Sequence, residues 1–97
     1  MIIKNIKMKK YYLDLKIGDK LSFNTGLEML IEDTNSAHIT FKNTITERII
    51  ILNRRSTFFL NEGVRIVYLG KRNRGNRGYI LIYQPDGYRY KRIRDVT

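Results

Sequence analysis

Basic and aromatic residues alternate near the end of the chain, where residues 88–94 read Tyr-Arg-Tyr-Lys-Arg-Ile-Arg. In an extended segment successive side chains point to opposite faces. Tyr88, Tyr90, Arg92 and Arg94 then share one face, and Arg89, Lys91 and Ile93 the other. Rings interleaved with guanidinium groups suit single-stranded nucleic acid, because bases stack on the rings while cations hold phosphates or reach base edges. A second basic cluster precedes this one: Lys71, Arg72, Arg74 and Arg77 lie in the glycine-rich segment 70–78, whose bare backbone can mould onto phosphates. Arg54 and Arg55 form a third. The alternative reading gives the tyrosines half-buried strand positions and leaves the arginines solvated, with segment 70–78 as a hairpin tip.

Other chemistries find little material. His38 is the sole histidine and the chain has no cysteine, so a His/Cys metal site cannot be assembled. The nine carboxylates are scattered, with Glu32 and Asp33 the one adjacent pair. The expectation is a protein that is not an enzyme, with no cofactor, no metal and no catalytic residue. A small metal-independent ribonuclease working with Arg, Lys and Tyr stays as an alternative. So does a protein-interaction module, such as a phage-type inhibitor of a host protein.

Charge points the same way as the motifs. The 97 residues carry a net charge of +10, unevenly spread. Residues 1–48 hold eight Lys/Arg against six Asp/Glu, whereas residues 49–97 hold eleven against three, nine of the eleven being Arg. Arg offers phosphates and base edges a planar fork that Lys lacks. A polyanionic partner follows, nucleic acid before an anionic membrane. The longest aliphatic run, Ile49–Leu52, is far too short to span a bilayer. The basic start MIIKNIKMKK leads into no apolar stretch of signal-peptide type, and a cytoplasmic location is expected.

The elements that position these residues read as strands. Val64–Leu69, Tyr79–Tyr83 and Tyr88–Ile93 are apolar-alternating runs, the last two separated by the turn sequence Gln84-Pro85-Asp86-Gly87. Upstream, Tyr11–Lys16, Leu21–Phe23, Leu27–Glu32, Ala37–Lys42 and Arg48–Asn53 alternate between turn signals, with Met1–Lys10 as a basic arm or edge strand. Two helical turns over Gly26–Asp33 are the weaker reading. The fold class is all-β. The chain also repeats: Phe23-Asn24-Thr25-Gly26-Leu27-Glu28-Met29 aligns with Leu60-Asn61-Glu62-Gly63-Val64-Arg65-Ile66 at an offset of 37. After a connection about four residues longer in the second copy, Ile39 and Phe41 answer Ile80 and Ile82. Neither copy is large enough to bury a core alone, so two meander units, residues 11–53 and 52–97, are expected to close on one core as an intrachain pseudo-dimer.

Both copies resemble the carbon storage regulator family of small RNA-binding translational regulators. The family opening Leu-Thr-Arg-Lys-Val-Gly-Glu-Ser-Leu is similar to Leu13-Asp14-Leu15-Lys16-Ile17-Gly18-Asp19-Lys20-Leu21, and Leu52-Asn53-Arg54-Arg55 resembles its first four residues. The family ending Ala-Pro-x-x-Val-x-Val-His-Arg resembles Gln84-Pro85-Asp86-Gly87-Tyr88-Arg89-Tyr90-Lys91-Arg92. The resemblance implies five-strand protomers that interlock, and binding of GGA-containing single-stranded loops between the first strand of one unit and the last of the other. Carried over, the opening basics become Arg54 and Arg55 and the closing arginine Arg92. Leu15 replaces the opening arginine of the first copy and Asn53 falls near its closing one, so the resemblance implies one half-site. The function implied is post-transcriptional regulation by occlusion of messenger RNA, with a further homodimer left open.

Overall fold

The computed structural model describes residues 8–60, 63–71 and 77–94. The alternating runs become β1 (Met8–Leu15), β2 (Lys20–Phe23), β3 (Glu28–Thr34), β4 (His38–Asn43), β5 (Ile49–Asn53), β6 (Thr57–Phe59), β7 (Arg65–Lys71), β8 (Gly78–Pro85) and β9 (Tyr90–Ile93). All pair antiparallel, and no α-helix occurs among the described residues. The chain is all-β, as its alternation and recurrent turn residues dictate. Gly26–Asp33, the weaker helical reading, instead turns at Gly26 and enters β3. β6 has no counterpart in the sequence reading, because three residues are too few to show alternation.

Two sheets form, a four-stranded one in the order β1-β8-β7-β6 and a five-stranded one in the order β5-β4-β3-β2-β9. Alternate residues of both meet in one core. The five-stranded sheet contributes Leu21, Phe23, Met29, Ile31, Ile39, Phe41 and Leu52; the four-stranded one contributes Leu15, Ile66, Tyr68, Ile80 and Ile82. Each such burial is worth about 1.5–3 kcal/mol.

The repeat is visible in the hydrogen-bond register. β2 meets β3 with Lys20 opposite Leu30 and Leu21 opposite Met29; β6 meets β7 with Thr57 opposite Val67 and Phe58 opposite Ile66. Every one of these positions is shifted by 37. The turns repeat too: the Gly18 N–H donates to Ile31 O and the Arg55 N–H to Tyr68 O, each at 2.8 Å. The β-bulges at Ile31/Asp33 and Tyr68/Gly70 keep the same offset. β5 lies beside β4 as β1 lies beside β8, Leu52 facing Ile39 where Leu15 faces Gly78. Ile49–Arg55 is expected from the sequence to serve both as the end of the first unit and as the start of the second, and its strand, Ile49–Asn53, takes the place of an opening strand. Each opening strand pairs in the other unit's sheet.

One alignment needs correction. Thr34 pairs with Ile39 and Lys71 with Gly78, so the second connection is two residues longer, not four. Phe41 answers Ile80, and Ile39 answers Gly78. A two-residue slip leaves every side chain on its original face, so alternation alone cannot detect it. Packing explains the exchange. A Cβ on Gly78 would lie 2.9 Å from the Tyr68 ring, so the large Tyr68 stands where the first unit has Ile31, and the missing side chain of Gly78 where it has Ile39. The Tyr68 hydroxyl donates to the Asn35 carbonyl.

Candidate nucleic-acid interface

The alternation of residues 88–94 holds, but its tyrosine–arginine side turns toward the protein. β9 pairs with β2, Tyr90 opposite Phe23 and Arg92 opposite Leu21, and covers the edge of β1. The Tyr90 ring meets Tyr11 edge-on at 5.4 Å between centroids. Arg92 Nη1 donates to Asp14 Oδ1 at 2.8 Å and to the Asp14 carbonyl at 2.9 Å. Arg94 donates to both oxygens of Asp19, Nε to Oδ1 at 3.0 Å and Nη2 to Oδ2 at 2.8 Å. Arg77 lies 3.3 Å from Asp14. Tyr90, Arg92 and Arg94 thus fasten β9 down. Lys91 is exposed on the opposite face, and the exposed Arg89 has its N–H on Asn24 Oδ1, which pins the β8–β9 turn to the β2–β3 turn.

The carboxylates that receive these arginines are poised to stay charged. Burial pushes Asp14 up, but the Arg92 hydrogen bond and charge, with Arg77, outweigh it and hold the carboxyl below its ordinary value. Burial also opposes ionisation of Asp19, and the Arg94 side chain and the Lys16 N–H overcome it in the same direction. The Asp19 bond in turn raises Arg94. Burial, with Tyr11 beside it, raises the Tyr90 hydroxyl.

The open aromatic surface lies elsewhere, on the outer face of the four-stranded sheet. Strand register sets Lys10, Tyr83, Arg65 and Phe59 side by side across β1, β8, β7 and β6. The next row is Tyr12, Leu81, Val67 and Thr57, and Tyr79 sits opposite Asp14 beyond it. The Tyr12 and Tyr79 rings stand 5.7 Å apart, and the Arg65 guanidinium lies 5.2 Å from the Tyr83 centroid. Tyr12 is 53% exposed and Phe59 67%. Lys10 and Arg65 have no carboxylate partner among the described residues. This face was missed in the sequence because both sides of β8 look apolar. Tyr79, Leu81 and Tyr83 alternate with Ile80, Ile82 and Gln84, and nothing in that pattern says which side is outward.

Four of the remaining basic residues gather at one end of the two sheets. β1, β3, β5 and β7 end there, and β2, β4, β6 and β8 begin there. Lys71, Arg77, Arg54 and Arg55 stand at this end, bordering the aromatic face. Arg54 donates its N–H to Ala37 O, and its side chain lies against Gly70. Arg55 is exposed and held at φ +69, where its counterpart in the first unit is Gly18 at φ +94. Arg72 and Arg74 lie outside the described residues. The structure therefore brings Arg54, Arg55, Lys71 and Arg77 to one end, and holds Arg92 and Arg94 on carboxylates.

His38 accepts or donates within a small network with Asn35 and stands 3.8 Å from Asp33. Among the described residues no three His, Cys, Asp or Glu side chains come together to hold a metal ion, and no helix is long and apolar enough to cross a membrane. No protein-family model, no curated protein and no solved structure matches this chain.

Proposed function

We propose that the chain binds single-stranded or loop RNA on the outer face of the four-stranded sheet, with phosphates carried onto its basic end, and that it acts as a post-transcriptional regulator by occlusion. The observation that carries this reading is the outward row of exposed Tyr12 and half-buried Tyr79 and Tyr83 interleaved with Lys10 and Arg65. Bases stack on exposed rings for about 1–3 kcal/mol each regardless of sequence, and neighbouring cations neutralise the backbone. Arg55 adds a second support. A non-glycine residue in the left-handed region costs roughly 1–2 kcal/mol, and contact of the exposed Arg55 side chain with phosphate would offset that cost. Reading the repeat as an intrachain pseudo-dimer of carbon-storage-regulator type belongs to the same proposal. Its support is the common register and the exchange of opening strands. The reading moves the contact surface away from Arg92, whose guanidinium is engaged by Asp14.

The test is fluorescence anisotropy with labelled hairpin RNA bearing a GGA loop, beside a scrambled loop and duplex DNA, at two salt concentrations. The expected result is a preference for unpaired RNA, weakened in Tyr12→Ala and Arg55→Gly. Release of counterions by four to six phosphate contacts gives a slope of log K against log salt of roughly −3 to −4. Equal binding to all three ligands, indifferent to both substitutions, overturns the proposal.

A further inference from the structure

β9 fills a strand position beside β2, and the repeat generates a second such position beside β6. Among the described residues nothing occupies it. The two positions are built alike. The Phe23 N–H donates to Leu27 O beside the first, and the Leu60 N–H to Val64 O beside the second, both at 2.8 Å. The backbone edge of Thr57–Phe59 is therefore presented as that of Lys20–Phe23 is. Where Tyr90 packs in the filled position, the open one has a cleft of about 550 Å³ lined by Phe58, Leu60, Ile50, Leu27 and Arg48. Phe59, in its lining, is 67% exposed, and the neighbouring strand β5 carries exposed Ile49 and Ile51.

The receptors have changed, and the change specifies the occupant. At the repeat offset Tyr11 becomes Arg48, Asp14 becomes Ile51 and Asp19 becomes Ser56. The carboxylates that fix Arg92 and Arg94 are gone, and Arg54 and Arg55 flank the end of the slot. We propose that this slot receives an extended segment of a partner protein, added antiparallel to Thr57–Leu60. The segment carries an aromatic residue that enters the cleft and an apolar residue two positions later over Ile51. Acidic residues at its two ends meet Arg48 and the Arg54–Arg55 pair. Main-chain hydrogen bonds to the open edge supply affinity, and alternate side chains supply selectivity. A second copy of this chain is disfavoured by charge. A β6–β6 pairing would bring together two chains that each carry a net charge of +10.

The experiment uses the whole chain and labelled peptides. The probe is Asp-Glu-Tyr-Thr-Ile-Thr-Glu-Asp. One control has both threonines replaced by proline, which keeps the charge but cannot pair as a strand. The other, Arg-Tyr-Lys-Arg-Ile-Arg, copies the β9 region. The probe is expected to bind at least about tenfold tighter than either control, a difference of about 1.4 kcal/mol. The double variant Ile51→Asp/Ser56→Asp restores the carboxylates of the first slot and reverses the preference toward the basic peptide. Both changes fall on exposed positions. Equal binding of the probe and its proline form, or no binding of the probe, overturns the proposal. So does concentration-dependent dimerisation in sedimentation that leaves the peptide unbound, which gives the slot to a second copy.

Discussion

The two outer sheet faces are built from the same repeat and have diverged in opposite directions. On the five-stranded sheet, Lys20 lies 4.0 Å from Glu28, Lys42 3.9 Å from Glu32 and His38 3.8 Å from Asp33. Lys20 and Lys42 there each face a carboxylate, Lys91 of β9 stands without one among the described residues, and no Tyr or Phe stands on the face. On the four-stranded sheet, aromatic rings alternate with cations, and Asp14 is the acidic residue present, already committed to three arginines. A face whose charges answer one another has nothing left for a polyanion; a face of rings and unanswered cations has both stacking surface and potential. Basicity that no carboxylate answers is thus concentrated on one face and one end, with Arg48 and Arg89 at the other end.

The largest expected effect breaks that contrast directly. Replacing Tyr12 and Tyr79 together with alanine removes two stacking rings and is expected to weaken RNA binding by about 100-fold, at roughly 1.4 kcal/mol per ring. Anisotropy titration at fixed salt checks it, and an unchanged Kd would show that the rings do not stack bases. Next in size is the anchoring of β9. Asp19 has 3% side-chain exposure, and its loss in Asp19→Ala leaves Arg94 without its bidentate partner. Because Arg94 is itself partly exposed, the expected cost is about 2 kcal/mol rather than the full value for a buried pair. Urea denaturation at neutral pH measures it. The same carboxylates set the acid response. Both Asp14 and Asp19 are lowered from the ordinary value of 3.8, so the unfolded chain binds more protons in that range. Their contribution is complete above 3.8 and is lost as pH falls below it through the lowered folded values. Asp19→Ala should therefore flatten stability against pH in that acid window.

Smaller effects sharpen the comparison. Arg55→Gly relieves the left-handed backbone and should stabilise the fold by about 1 kcal/mol while weakening RNA binding. A joint gain in melting temperature and loss of affinity separates a binding role from a packing one. Lys20→Ala and Lys42→Ala act on the balanced face. They should leave RNA affinity within about twofold and cost less than about 1 kcal/mol of stability, as exposed ion pairs do. A large loss of affinity in either would erase the distinction between the faces.

The architecture was legible because alternation, β-branched residues and turn chemistry agree along almost the whole chain. The Asn-x-Gly match between residues 24–26 and 61–63 located the repeat, and β3 and β7 superimpose at that same offset. β6 escaped because Thr57, Phe58 and Phe59 offer no alternation to count, and only the offset to Lys20–Phe23 points to it. The basic end was half legible: Arg54, Arg55, Lys71 and Arg77 stand out by composition. The direction of the Tyr90–Arg92–Arg94 side was not, because its acceptors Asp14 and Asp19 lie more than seventy residues away in sequence. A stripe of cations reads as a binding surface until the carboxylates that neutralise it are placed beside it.

The pairing of β1 with β8 has a consequence for synthesis. Met8 meets Pro85 and Leu15 meets Gly78, so β1 waits for a partner that is made some sixty to eighty residues later. β9 closes the other sheet later still, against β2. Neither sheet can be completed before β8 and β9 have been made, and most stabilising contacts are distant in sequence, which slows folding. Rings and cations of the outer face come into register only once β8 has been made and has paired with both β1 and β7. Recognition by that face therefore depends on a strand made about seventy residues after the first of its rings.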